Sequence, residues 1–563
     1  MLFFNLNYKN LKKDLDLFYL FIYVHFFHLL FITFNNFFKN NIELLPSLEK
    51  ITTTFFSFSI IFILLYFSLK LILKKSYRKI IIFLLYFILF LNSVDLFLYI
   101  NFSVQLTPEL LYIFFETNQN EAKEFIQSFL NIKFLVVLYY FIFGLFFINL
   151  IKKFNLFKLL FSFITISLIF IFTLNINGNN TLRKKHILKN IYHSYSRYSK
   201  EMKDLNHFLN NFENLTKNLK VISKDKEAAT YIFIIGESFT KYHSSIYGYP
   251  RETNPYMNSL KNKGELNIFT DVVSPHHFTR ESLKKLVTTY AYDSNKSFEN
   301  SINIIDIMKK AGFKTYWISN QENFAFRGAG LSAIANRANS TAFTEEYFVQ
   351  DRGEKIHDSY ILPLLKQAID DTSTTKKFII IHLFGSHVSY QSRYPKEFLT
   401  FSLDETPSFF NELQKKNKEI VNHYDNSLVY NDYIIKSIIE NSKLEDINSF
   451  ILYLSDHGQT LFEDIDGFAS PIPSKTLRSV EIPLIFWASQ EYRKLHPQII
   501  KNINSSLDKP YSSEDIIYTL IELSNLEYSE HIPEKSIINP SFLPKKRIIS
   551  SDGEIYDSLK NKF

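Results

Sequence analysis

Three short motifs in the second half of the chain end apolar runs with residues that can do chemistry. Tyr231–Ile235 runs into Gly236, Glu237 and Ser238. Phe450–Leu454 runs into Ser455, Asp456, His457 and Gly458. Phe378–Ile381 runs into His382 and, soon after, Gly385, Ser386 and His387. The pattern gathers two carboxylates and several imidazoles at the ends of predicted strands. Cys is absent from the sequence, so a metal here is held by oxygen and nitrogen, and Asp, Glu and His suit zinc or manganese. An adjacent Asp and His can face one site only across a tight turn, which Gly458 permits. Strand-end Asp, Ser and Gly also serve as caps and turns, and any one motif alone would read that way. The three together point to a site.

The elements that position them follow from hydropathy. From Tyr231 onward short apolar runs alternate with amphipathic stretches. Tyr231–Ile235, Lys314–Ser319, Phe378–Leu383, Phe450–Leu454 and Ile482–Trp487 read as buried strands. Ser301–Ala311, Tyr360–Ile369, Ile420–Glu440 and Ser513–Leu523 read as helices. Such alternation predicts an α/β domain with a mostly parallel sheet. Ligands bind outside the carboxyl ends of the strands in such sheets, where the three motifs lie.

The first part of the chain is of another kind. Leu17–Phe38, Thr52–Leu73, Ile80–Ile100, Phe134–Ile151 and Leu156–Ile176 are long apolar segments, each near the ~20 residues that cross a ~30 Å hydrocarbon core. Bulky apolar runs without turn residues predict helices, because helices satisfy their own backbone in lipid. Basic residues cluster before the first segment, between the second and third, and between the fourth and fifth. This places the N-terminus in the cytoplasm and everything after the fifth span outside. Arg183, Lys184, Lys185 and Lys189 run against that rule and can lie on anionic headgroups. Asp95 falls near the outer end of the third span and is expected to reach interfacial water. His25 and His28 in the first span read as hydrogen-bonding residues of the bundle interior. The expected domains are 1–176 as a five-span transmembrane domain, 177–230 as a linker with interfacial helices, and 231–563 as the catalytic domain.

Composition excludes several classes. Without Cys there is no disulfide scaffold, iron–sulfur cluster or cysteine catalysis. Lys+Arg 63 against Asp+Glu 56 leaves +7 over 563 residues, too mild a charge for a nucleic-acid binder. A hydrophobic content of 46% with 21% charged residues excludes global disorder.

The soluble half resembles the phosphoethanolamine transferases of the alkaline phosphatase and sulfatase superfamily. The resemblance rests on Ile234–Ser238, on His243–Tyr249 with Arg251–Pro255, and on His382–His387 with Arg393–Pro395. Tyr424–Ser427 with Tyr430 and Asp432, and Ser455–Gly458, complete it. The motifs stand in family order, and the five-span anchor agrees with them. The resemblance implies an α/β/α sandwich behind a five-helix bundle. It implies a metal-bound threonine nucleophile, Thr279, which spacing alone does not choose over Ser274 or Ser282. It implies a zinc site made of Glu237, Thr279, Asp456 and His457, with manganese as second choice. His387 then binds substrate phosphate or a second metal, and His382 gives structural support. Asn118 and Glu121, in the outer loop Pro108–Lys133, match a family segment that faces the active site, although that loop also reads as an interfacial helix. A threonine hydroxyl is a poor nucleophile until a metal or base activates it, and zinc also neutralises charge developing on phosphoryl oxygens. A helix starting at Thr279 is expected to aim backbone N–H groups at the phosphate.

The donor implied is phosphatidylethanolamine. The acceptor implied is lipid A or the lipopolysaccharide core, with a periplasmic protein as a further candidate and nucleic acid excluded. The place implied is the bacterial inner membrane, with the catalytic domain in the periplasm. Two departures stand out. The lipid A members carry disulfides in the soluble domain, and this chain has no Cys. They also carry a second His shortly after the Asp-His-Gly motif, where this chain reads Gly467–Phe468–Ala469–Ser470–Pro471. A second metal is therefore open, with His357 and His423 as candidate substitutes. The alternative functions are a phosphoglycerol transferase or lipid-headgroup phosphodiesterase of the same superfamily, and an inactive membrane scaffold or sensor.

Overall fold

A computed structural model describes residues 66–73, 76–102, 132–151, 212–321, 334–344, 357–441, 444–463, 468–469 and 476–560, with a few single residues between 192 and 203. The chain divides into two compact units, Met1–Tyr198 and Ser199–Phe563.

In the first unit two long helices are described, α1 (Tyr77–Phe102) and α2 (Ile132–Ile151). They coincide with the third and fourth apolar segments. Within α1, Lys79–Leu98 is 20 residues long and apolar enough to cross a membrane. The first and fifth segments, most of the second, His25, His28 and the loop bearing Asn118 and Glu121 lie outside the described residues. Asp95 departs from expectation. It is 3% exposed and shares the interior with Asn92 and Ser93, so it faces packed protein rather than reaching outward.

The second unit is built on a seven-stranded sheet. Its strands are β1 (Ala229–Gly236), β2 (Leu266–Phe269), β3 (Lys314–Ser319), β4 (Ser340–Phe343), β5 (Lys376–His382), β6 (Ser449–Ser455) and β7 (Leu484–Ala488). The spatial order is β2-β7-β6-β1-β5-β3-β4. From β6 to β4 every pairing is parallel. β7 runs against both its neighbours. The run Ile482–Trp487 overlaps this strand, but periodicity carries no information on its direction.

β1 is buried along its whole length, as expected of a parallel strand covered on both faces. Its side chains alternate between two cores. Tyr231, Phe233 and Ile235 enter one, closed by helices α4 (Thr279–Leu286), α5 (Ile304–Lys310) and α8 (Ile516–Leu523). Ile232 and Ile234 enter the other, closed by α3 (Pro255–Asn262), α6 (Ile361–Asp370) and α7 (Lys415–Asn441). The domain is therefore an α/β/α sandwich. Helices α3 and α4 and strand β2 lie in stretches for which the sequence reading assigned no element, or only the conjecture of a helix at Thr279. They are 4 to 8 residues long, too short for periodicity to declare them.

Candidate active site

Strand register brings the motifs together. β1 and β6 are parallel neighbours with Gly236 opposite Ser455, so the next residues, Glu237 and Asp456, emerge side by side at the carboxyl edge. On the other flank of β1, Ile235 lies opposite His382, and His382 lies opposite Ser319 of β3. Glu237, Asp456 and His457 are all buried, and their ligand-type atoms lie within 4.8 Å of one another. Thr279, the first residue of α4, completes the group. Its Oγ1 donates to Glu237 Oε2 at 3.0 Å and lies 3.3 Å from His457 Nε2.

The hydroxyls that spacing could not separate are separated by geometry. Ser274 Oγ lies 2.5 Å from the Asp456 carbonyl and 2.9 Å from Ser282 Oγ, and Ser282 Oγ also donates to the His276 carbonyl at 3.1 Å. These two serines fasten the turn before α4 to the end of β6. Thr279 alone among the three is hydrogen-bonded to the side chains of the cluster.

Each member of the cluster is oriented by its neighbours. Asp456 Oδ1 accepts from the backbone N–H of Ser238 at 3.0 Å and of His457 at 2.7 Å. His457 Nδ1 lies 2.7 Å from the Gly458 carbonyl, which fixes Nδ1 as the donor and turns Nε2 to the site, 3.3 Å from Glu237 Oε1 and 3.5 Å from Asp456 Oδ2. Gly458 is required by space: a Cβ there would run into the carbonyl of Arg478. Ser238 is held in the left-handed region, φ 57°, a costly conformation for serine. It is secured by its hydroxyl on Glu237 Oε1 at 2.7 Å and by the Tyr424 hydroxyl on its carbonyl at 2.7 Å.

The electrostatics call for a cation. Burial works against ionisation of Glu237, but the hydrogen bond and charge of His457 hold it well below the usual carboxylate range. Burial, and then the charge of Glu237, push Asp456 up to about 7. Burial also opposes a charge on His457, yet Asp456 and Glu237 raise it to about 9. Two buried carboxylates this close do not both ionise without a compensating positive charge. Asp456 Oδ2 is buried and accepts no hydrogen bond. Two carboxylates, an imidazole and a hydroxyl around one point fit a dication with oxygen and nitrogen ligands. Among the described residues this is the one such cluster. His423 lies outside it, 2.6 Å from the Tyr394 hydroxyl, and so does His357.

His387 follows a loop stapled to the site. Ser386 N–H donates to the Glu237 carbonyl at 3.0 Å. Gly385 sits at φ 51°, and a Cβ there would stand 2.8 Å from that same carbonyl. Asp358 accepts from the N–H groups of Phe384 and Gly385 at 2.8 and 2.9 Å. The half-buried His387 has an Nδ1 without a hydrogen-bond partner, and its charge acts on Glu237. His382 is buried at the end of β5, and burial pushes it down to about 4. It is therefore neutral and suited to packing. Asn118 and Glu121 are outside the described residues.

Two features have no role in the sequence analysis, although His243, Tyr249, Arg251 and Asp425 stand in motifs that carry the resemblance. One is Gln321, whose amide reaches Glu237; it lies two residues beyond β3, outside the motifs that end the other strands. The other is a buried network behind the site. His243 lies 2.6 Å from Asp425 and 2.8 Å from Glu463, and Asp425 also takes Arg251 at 2.6 Å and the Tyr249 hydroxyl at 2.8 Å. It ties the loop after Glu237 and the loop after His457 to α7. Burial alone would lower the His243 pKa, but the charges of Asp425 and then Glu463 raise it to about 9. The contribution to stability is about 3 kcal/mol, complete below the ordinary histidine value of 6.5 and lost as pH rises through about 9. Melting temperatures of the wild type are expected to fall between neutrality and pH ~10, while His243→Gln, already less stable, should lose much of that dependence.

The chain is similar to several known proteins. Residues 229–526 match the sulfatase family model. Phosphoethanolamine transferase EptC of Escherichia coli is 28% identical over 480 residues, covering 80% of this chain and 81% of its own. Phosphoethanolamine transferase CptA of Salmonella typhimurium is 29% identical over 479 residues, with the same coverage of 80% and 81%. The crystal structure of the C-terminal periplasmic domain of Escherichia coli EptC in complex with zinc superposes with a TM-score of 0.55 at 28% identity, covering 61% of this chain and 96% of that one. The integral membrane lipooligosaccharide phosphoethanolamine transferase A of Neisseria meningitidis shares the fold over 93% of this chain and 97% of its own, with a TM-score of 0.64 at 18% identity.

Proposed function

Because this chain belongs to the sulfatase family and is related over most of its length to phosphoethanolamine transferases, we propose that it is a metal-dependent enzyme that moves phosphoethanolamine from phosphatidylethanolamine to lipid A or the lipopolysaccharide core. The observation that carries this reading is the placement of the Thr279 hydroxyl 3.0 Å from Glu237 and 3.3 Å from His457, within one buried, metal-suited cluster.

Zinc is the metal that fits, held by Glu237, Asp456, His457 and Thr279; when bound it supplies a Lewis acid that lowers the pKa of the hydroxyl and offsets charge on the phosphoryl oxygens. The chain's own residues do the rest. Glu237 Oε2 and His457 Nε2 fix the direction of Thr279 Oγ1. Oγ1 attacks the donor phosphorus, the bond to the diacylglycerol oxygen breaks, and the hydroxyl proton ends on that departing oxygen. The phosphothreonine then yields phosphoethanolamine to the acceptor oxygen, and Thr279 regains a proton from the acceptor. A covalent intermediate lets donor and acceptor use one site in turn. His387, with a free Nδ1 beside the cluster, binds the substrate phosphate, and His382 supports the strand end. Substrate-binding roles for Asn118 and Glu121 belong to the same proposal.

The donor is a membrane lipid, which accounts for a membrane anchor. The five spans, the boundaries 1–176, 177–230 and 231–563, the cytoplasmic N-terminus and the periplasmic catalytic domain complete the reading. The fold shared with an integral membrane protein over 93% of the chain supports them. Modified lipid A carries added ammonium groups, so weaker binding of cationic antimicrobial peptides is the expected consequence.

Headgroup-labelled phosphatidylethanolamine tests the proposal. The enzyme should move label onto lipopolysaccharide, and mass spectrometry should locate it on one sugar. Label released only as free phosphoethanolamine identifies a phosphodiesterase. Label accepted only from phosphatidylglycerol identifies a phosphoglycerol transferase. A protein that binds no metal and moves no label is the inactive scaffold.

A further inference from the structure

We propose that Gln321 is a positioning residue of the metal site, holding the Glu237 carboxylate toward Thr279 and His457. The inference rests on the metal-dependent reading above. Gln321 is 8% exposed and stands two residues beyond the end of β3. Asn320 N–H continues the sheet by donating to the His382 carbonyl at 2.9 Å. The Gln321 backbone is then locked by Ser319, whose Oγ accepts its N–H at 3.1 Å and donates to its carbonyl at 3.2 Å. The side-chain Nε2 donates to Glu237 Oε2 at 3.2 Å and to the Leu383 carbonyl at 3.0 Å.

The consequence lies in what each oxygen of Glu237 receives. Oε1 takes the Ser238 hydroxyl at 2.7 Å. Oε2 takes Gln321 and the Thr279 hydroxyl. A carboxylate gripped at both oxygens cannot rotate its plane freely. Besides Thr279, Oε1 also lies 3.3 Å from His457 Nε2; Ser238 and Gln321 differ from that imidazole in being neutral donors, so they orient Glu237 without cancelling the negative charge that a cation needs. A lysine in the place of Gln321 would supply that charge itself and compete with the metal. The Leu383 carbonyl gives the amide a second, fixed anchor, because Leu383 N–H donates to the Ile235 carbonyl at 3.0 Å. Gln321 thus refers the position of Glu237 to two strands at once. Outer contacts of this kind set ligand direction at metal sites.

Gln321→Met keeps the length and bulk of the side chain and removes the donor. In the full-length protein, zinc affinity measured by chelator competition is expected to fall roughly 10- to 100-fold. The melting temperature of the zinc-free protein should fall by less than that of the zinc-bound protein, and at saturating zinc kcat should fall while KM for the donor holds. If Gln321→Met does not fold, Gln321→Asn, one methylene too short to reach Glu237, serves the same comparison. Wild-type zinc affinity in the variant overturns the inference and leaves the metal reading standing. A zinc-free melting temperature that falls as far as the zinc-bound one also overturns it, since that is a packing role. A wild-type protein that binds no zinc overturns the metal reading and this inference with it.

Discussion

Asp456→Asn should give a folded protein that binds no zinc at concentrations saturating the wild type. Asparagine retains an oxygen to accept the N–H groups of Ser238 and His457, so the turn after β6 survives. It replaces the unpartnered Oδ2 with an amide that offers hydrogens instead of a lone pair. It also removes the burial of an ionisable carboxyl and the repulsion from Glu237, which together push the Asp456 pKa up, so the metal-free variant should melt at or above the temperature of the metal-free wild type. Transfer should fall by at least roughly 10²–10³-fold, the scale on which loss of one preorganised electrostatic group is felt. Alanine would be the poorer test, because it strands two buried N–H donors at a cost of ~1–3 kcal/mol each. Metal content by elemental analysis, set beside melting curves with and without chelator, checks the prediction.

Thr279→Ala should abolish transfer while zinc still binds and the fold holds. Thr279 begins α4, where alanine is a good helix residue, and its hydroxyl bonds only to Glu237 and His457 among the described contacts. Glu237, Asp456 and His457 remain to hold the metal. Removing a nucleophile typically lowers kcat by roughly 10⁴- to 10⁶-fold. Thr279→Ser keeps a hydroxyl in place and should retain measurable transfer. The pair separates loss of the nucleophile from loss of the site, since both variants should carry the zinc of the wild type.

The parts of this architecture that the sequence made legible are those with a strong local signal. Buried parallel strands read as continuous apolar runs, and Glu237, Asp456 and His457 stand directly beyond the ends of two of them. The family resemblance points to Thr279, and the structure shows why Ser274 and Ser282 are not equivalent: both are spent on the Asp456 and His276 carbonyls. What remained illegible depends on register and long-range pairing. That β7 is antiparallel follows from its connection, not from its composition. Gln321 reaches Glu237 only because β3 lies one strand beyond β5. The His243–Asp425–Glu463 network joins residues up to 220 positions apart, and no spacing rule links them. The inward-facing Asp95 is a matter of helix rotation, which a single polar residue in an apolar run does not determine.

The central claim is that Thr279 carries the phosphoethanolamine between donor and acceptor. Incubating the zinc-loaded full-length protein with phosphatidylethanolamine, without acceptor, and measuring its intact mass tests this most directly. The account predicts an increase equal to one phosphoethanolamine group, localised by peptide mapping to the segment containing Thr279 and absent from Thr279→Ala. Transfer to lipopolysaccharide at the wild-type rate by Thr279→Ala, or an adduct on another residue, would contradict it.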